Sequence, residues 1–289
     1  MIELLFIILL FLILLINPQI CKNATFNSFH LWIESYLPNI FIYLVLSDLI
    51  LNSKHFIKFL NHYKKNTIDD KSYFISLVAG IIPAASVLKE TENNQSHNFC
   101  QIIRIAVLNP AFILIYANIF VENSIILMLI LLMNLIFNAI SFRLFNNNKI
   151  IPKLITENKS SGFTFQMLKS IEKNFLNVFK ILGIMLFVNI IVELILFLNQ
   201  TLELLPNKII YFVCANLEII NGLNLLNSVY GGIEKILSIT FAISFLGFSI
   251  HLQSLFLFDK KLKYFPFFCY NLIKSIIITL IIYPFALIL

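Results

Sequence analysis

Long apolar runs separated by short polar stretches account for most of this chain. A helix that crosses a bilayer needs about 20 mostly apolar residues. The pattern predicts spans at about 2–17, 36–51, 105–120, 124–142, 178–198, 236–256 and 266–288. Two further apolar segments, about 72–88 and 208–228, are shorter. Each carries a glycine near its middle, and the first also carries Pro83. Glycine and proline both interrupt helices. These two segments are therefore expected to be helical hairpins that enter the membrane and return on the same side.

Charge orients the spans. Lys54, Lys58, Lys64, Lys65 and Lys71 follow the second span. Arg143, Lys149, Lys153, Lys159, Lys169 and Lys173 occupy the central loop, and Lys260, Lys261 and Lys263 the last one. Basic loops stay cytoplasmic. The remaining loops, with Lys22 and Glu34, Glu122, and Glu203 and Lys208, are nearly neutral. With the two short segments as hairpins, each half reads span, hairpin, span, span, in opposite orientation. The expected organisation is an extra N-terminal helix at 1–25, a first repeat at 26–143, a basic linker at 144–172 and a second, inverted repeat at 173–289. Inverted repeats with interrupted segments in matching places are a transporter pattern, with the site near the midplane between the repeats.

Composition fixes the class. The chain of 289 residues is 59% hydrophobic and 12% charged, against about 45–50% and about 25% in soluble domains. The expected fold class is an all-α polytopic membrane protein. The net charge of +6 comes from the loop lysines, so it signals orientation and not nucleic-acid binding. Cys21, Cys100, Cys214 and Cys269 lie far apart, with no C-x-x-C pair and no histidine cluster. They predict neither a disulfide framework nor a metal site. The N-terminal run lacks a basic start and a small-residue cleavage site, so it reads as a retained helix.

Polar groups at membrane depth are the candidate chemistry, because each one costs insertion energy unless it finds a partner or a wet cavity. Asp48 and Glu193 occupy similar places in the first helix of each half and are candidates for support or proton relay. The plainer alternative seats both at a helix interface or pairs them with Lys180 or Lys274. In the second hairpin, Glu218, Asn221 and Gly222 form E-x-x-N-G. On a helix, Glu218 and Asn221 share a face, and Gly222 permits a break whose free backbone groups hold a ligand or ion. The alternative is that Asn221 only joins helices. The first hairpin offers Ser76, Gly80 and Pro83. Asn109 and Pro110 follow, either as a freed turn or as a plain helix start. Ser244, Ser249, His251 and Gln253 are candidates to line a path, with a place at the cytoplasmic edge as the alternative for His251. The chain has no H-E-x-x-H, G-x-S-x-G or phosphate-binding glycine loop, which argues against an enzyme. No cofactor is expected.

LWIESYLPNIFIYLVLSDLI (31–50), SLVAG (76–80), NPAFI (109–113), NLEIINGLNLL (216–226) and SFLGFSIHLQS (244–254) occur in that order along most of the chain. Together they resemble the YlbJ-like family of sporulation integral membrane proteins, within the wider group that carries nucleoside-recognition or gate domains. The resemblance implies a fold related to the concentrative nucleoside transporters, with two hairpins around a central site. It implies an endospore-forming bacterium and a cell or forespore membrane. It also implies movement of a small anionic molecule such as dipicolinate, or of a nucleoside-like one. Glu218, Asn221, Gly222, Ser249, His251, Gln253, Asn109 and Pro110 fall on the family's motifs. The first hairpin departs from them: AGIIPAAS (79–86) lacks the tyrosine, second glycine and lysine of S-G-Y-P-x-G-A-K, and the second span carries Asp48 in place of glutamate. The rival class is a membrane scaffold or recruiter of the spore envelope that transports nothing. The expected partners are a small-molecule substrate and the lipid bilayer, with a homo-oligomer left open and nucleic acid excluded.

Overall fold

A computed structural model describes residues 2–53, 55–56, 68–89, 98–144, 162–258 and 264–288. All secondary structure among them is helical. Among the described residues, four stretches are long and apolar enough to cross a membrane: Ser124–Leu144, Phe163–Leu202, Gly232–Leu257 and Tyr264–Ile288. The chain is therefore a helical, multi-pass membrane protein. The basic residues Lys54, Lys58, Lys64, Lys65, Lys149, Lys153, Lys159, Lys260, Lys261 and Lys263 lie outside the described residues.

Helix α1 (Ile2–Ile16) shows apolar side chains such as Leu5, Phe11, Leu12 and Ile16 to the outside. This is a lipid-facing surface, since lipid solvates Leu as well as a protein core does. Its 15 residues are fewer than the expected span. Helix α2 (Pro18–Leu31) begins with a proline in its first turn, where no backbone donor is lost. It packs along the long α8 (Phe163–Leu202). Ala24 and Ser28 are fully buried there, small residues that let the two backbones approach.

The predicted second span is a π-helical stretch, Trp32–Phe41, that runs into α3 (Ile42–Asn52). Next come α4 (Ile68–Ala79) and α5 (Ile81–Lys89), packed against each other. Gly80 between them has φ +84°, a conformation in which glycine avoids the steric cost other residues meet.

The predicted third span, 105–120, is not one helix. Helix α6 (Asn98–Ile103) ends before it, and Ala106–Asn109 is irregular backbone that is mostly buried. A π-helical turn, Phe112–Tyr116, and a short 3₁₀ turn, Ala117–Ile119, follow. Proline disfavours helix in the residue before it, so Pro110 forces this interruption at Asn109. Helix α7 (Ser124–Leu144) is capped by Asn123, whose side-chain oxygen accepts from the backbone of Ile125 at 3.0 Å and of Ile126 at 3.4 Å.

Helix α8 holds 40 residues, about 60 Å at 1.5 Å each. It runs back through 163–172, which the sequence placed in the linker, and the expected boundary at residue 25 falls inside α2. Helix α9 (Asn207–Leu217) and α10 (Ile219–Val229) form the second short pair. Tyr230 Oη, just past the end of α10, donates to the carbonyl of Lys208 in the first turn of α9 at 2.9 Å. The pair therefore folds back on itself. Helices α11 (Gly232–Phe245) and α12 (Gly247–Phe258) are separated by Leu246 at φ 75° and Gly247 at φ 59°. Helix α13 (Tyr264–Ile288) closes the bundle against α11, α7 and α6.

Candidate functional site

Each short pair places its break against the break of a spanning helix. At Gly80, an added Cβ would stand 2.5 Å from the backbone nitrogen of Asn109. The backbone N–H of Ile81, the first residue of α5, donates to the carbonyl of Val107 at 2.8 Å. The first pair is thus joined to the irregular stretch 106–109 by contact and by hydrogen bond. On the other side, a Cβ on Gly247 would meet Ile219 and the carbonyl of Asn216, the residues around the break of the second pair.

A cavity of about 40 Å³ lies between the two pairs. Ala79, Ile82 and Pro83 line it from the first pair, Ile219 and Ile220 from the second, and Asn109 and Ile250 from the broken spans. Asn109 is the polar member of this lining. A water needs about 10–15 Å³ and a drug-sized ligand about 300–1,000 Å³. The space therefore suits a few waters, and any larger ligand would require the pairs to move apart.

Glu218 makes the break of the second pair. Its backbone is extended (φ −131°, ψ 114°), and its carboxylate accepts from the backbone N–H of Asn221 at 2.7 Å. This is an N-cap, and it brings negative charge to the helix end that favours it. Glu218 and Asn221 are therefore not neighbours on one helix face, as their spacing suggested. Gly222 is not the break either. It lies inside α10, where an added Cβ would fall 2.1 Å from the Cα of Ala215 on α9. Its absent side chain permits the fold-back.

Asn109 caps the next turn through its side-chain oxygen, which accepts from the N–H of Ala111 at 2.9 Å. Pro110 follows in the first turn, so the helix-start reading of this pair holds while Asn109 also lines the cavity. Ser76 Oγ donates to the Tyr73 carbonyl at 2.7 Å and accepts from Asn138 at 3.2 Å. Ser249 accepts from Gln253 at 2.9 Å. His251 sits fully buried, with Nε2 2.7 Å from the Phe245 carbonyl and Nδ1 3.3 Å from Tyr264 Oη. It satisfies the carbonyl that the break at Leu246 sets free. Ser76, Ser249, His251 and Gln253 surround the cavity's supporting helices and are absent from its lining.

Asp48 and Glu193 are apart from this site. Asp48 pairs with Lys173 at 3.0 Å, and Glu193 accepts from Asn27 at 2.9 Å. The expected alternative partners take other roles: Lys180 lies over the ring of Phe256 at 5.6 Å, and Lys274 reaches a backbone carbonyl. Lys274 Nζ donates to Ala106 O at 2.7 Å within the irregular stretch.

Sequence reading missed one polar row. Asn134, Asn138 and Ser141 are spaced i, i+4, i+7 on α7 and all are buried. They meet Ser244, Ser76 and Tyr270 respectively. That spacing, inside an apolar run, was the available signal. The result is a multi-pass helical membrane protein whose two short helix pairs face one small cavity and whose polar side chains join the elements around it. No family model, curated protein or solved structure matches the chain.

Proposed function

We propose that the chain is a membrane transporter of a small anionic, dipicolinate-like or nucleoside-like molecule, working by alternating access in a spore-forming bacterium. One observation carries the reading: Ala79 and Ile81, which flank the break at Gly80, and Ile219, next to the break at Glu218, belong to separate helix pairs yet line the same cavity. Each helix of the second pair has 11 residues, about 16 Å. That is half of a hydrocarbon core of about 30 Å, the reach of a hairpin that enters and returns. The first pair and its broken span then correspond to the second pair and its broken span, as two inverted repeats would. The small cavity belongs to a closed state, and substrate binding separates the pairs.

The test is uptake of labelled dipicolinate and uridine into proteoliposomes, with cysteines placed at Ala79 and Ile220. Both positions line the cavity and, unlike Gly80 and Gly222, already carry a Cβ. Uptake with ligand-protected labelling at both positions supports transport. Neither uptake nor labelling from either side removes this reading. The apolar lining and internally bonded polar groups favour the scaffold as the second reading, and that result would establish it.

A further inference from the structure

Among the described residues, nothing near the ammonium of Lys274 carries an opposite charge. It lies ten residues into α13, about 15 Å from the start of the helix, near the middle of a hydrocarbon core of about 30 Å. It is 1% exposed. Among the described residues its ammonium has one hydrogen-bond partner, the neutral carbonyl of Ala106.

Among the described residues, the surroundings supply no anion. Helix α13 packs on α11, α7 and α6, and its Phe267 ring lies 4.8 Å from that of His251 on α12. Among the described residues of α6, α7, α12 and α13 there is no aspartate or glutamate. Their ionisable groups are Cys100, Arg143, His251, Tyr264, Cys269, Tyr270 and Tyr283, with Arg104 in the turn before Ala106. Helix α11 contributes Lys235 and Glu234, and Glu234 is exposed and bonded to Lys208 at 2.6 Å. A buried charge without an opposite charge is strongly unfavourable. Intramembrane ionisable groups of this kind mark ion paths and proton relays.

Resting on the transporter reading above, we propose that Lys274 is its coupling-ion site and that the ion is a proton. In one half of the cycle the ammonium gives its proton to water and becomes a neutral amine. In the other half a proton from the opposite side restores it. The link to the gate is short. Lys274 holds Ala106 O, the adjacent Val107 O holds the N–H of Ile81, and Asn109 abuts Gly80. Protonation thus sets how firmly the stretch 106–109 is held, and this stretch anchors the break of the first pair. Such an element, biased by a local charge change, is what a switch requires.

The experiment uses the full chain in proteoliposomes with a trapped pH dye and dipicolinate as the probe. The wild type is expected to move protons when dipicolinate is added and to accumulate it under an imposed pH gradient. Lys274→Arg keeps a charge and donors but releases no proton. Its ratio of gradient-driven accumulation to counterflow is expected to fall about tenfold or more. Equal ratios in Lys274→Arg and wild type would make Lys274 a structural tether and overturn the proposal. Wild-type counterflow without proton movement would overturn it while leaving transport intact. Absence of any dipicolinate or uridine exchange would overturn the transporter reading, and this proposal with it. If Lys274→Arg does not give monodisperse protein, the same ratio is read in Lys274→Gln, which likewise releases no proton and is expected to show the same fall.

Discussion

Gly222 and Ala215 hold α9 and α10 at a distance that leaves no room for a side chain, since a Cβ on Gly222 would stand 2.1 Å from the Ala215 Cα. Gly222→Ala must push two backbones apart, and overpacking of this kind costs about 1–3 kcal/mol or more. Gly183 is the control: it is exposed within α8 and an added Cβ meets nothing within 4 Å. Gly183→Ala is expected to be neutral or to stabilise by up to about 1 kcal/mol. Thermal unfolding of both variants in one detergent checks this, and equal loss in the two would contradict the close packing.

Glu218 separates capping from charge. Glu218→Gln keeps an oxygen that accepts from Asn221, whereas Glu218→Ala leaves that N–H without its cap. The alanine variant is expected to lose about 0.5–2 kcal/mol and the glutamine variant much less. Uptake discriminates further. If Glu218→Gln folds normally and transports normally, the carboxylate acts only as a cap.

Asp48 and Lys173 join α3 to α8 away from the cavity, with side chains 15% and 37% exposed. A pair this accessible contributes about 0–1 kcal/mol. Asp48→Asn is expected to shift unfolding little and to leave uptake unchanged. Loss of uptake with normal protein yield would place Asp48 in the transport path after all.

Lys208 gives a pH signature. Its hydrogen bond to Glu234, reinforced by that carboxylate's charge, raises its pKa above the ordinary 10.5. A lysine raised on folding stabilises the fold fully below 10.5, and the contribution is lost as pH rises through the folded-state value. The pair is exposed, so the effect is small and screened by salt. Unfolding temperature is expected to fall more steeply above pH 10.5 in wild type than in Glu234→Gln. Parallel curves would show that the pair adds nothing.

Sequence reading reached as far as local chemistry allows. The apolar runs at 124–142, 178–198, 236–256 and 266–288 are helices because their length and composition leave the backbone no other way to satisfy itself in lipid. Gly80 was legible as a break. Glu218 was not, because E-x-x-N-G suits both a helix face and an N-cap, and the choice depends on where the chain turns. The interruption at 106–109 had one local sign, Pro110. Its stability comes from Ile81 and Lys274, distant in sequence, and no local pattern carries that. The pairing of Asp48 with Lys173 and of Glu193 with Asn27 is likewise tertiary. The cavity lining brings together residues far apart in sequence, of which the sequence reading named Pro83 and Asn109 but not Ile219, Ile220 or Ile250.

The length of α8 has its own consequence. Between Phe163 and Lys180 the helix interleaves exposed Phe163, Phe165, Leu168, Phe175, Leu176 and Phe179 with Lys169, Lys173 and Lys180. Phenylalanine rings and leucines prefer the acyl region, and lysine stems can stretch from among them toward water. The helix thus meets the bilayer over a graded zone several turns deep and has no single waterline. A thicker or thinner membrane shifts which turns are wetted, and the protein floats to a new draught without disturbing the contacts in its middle.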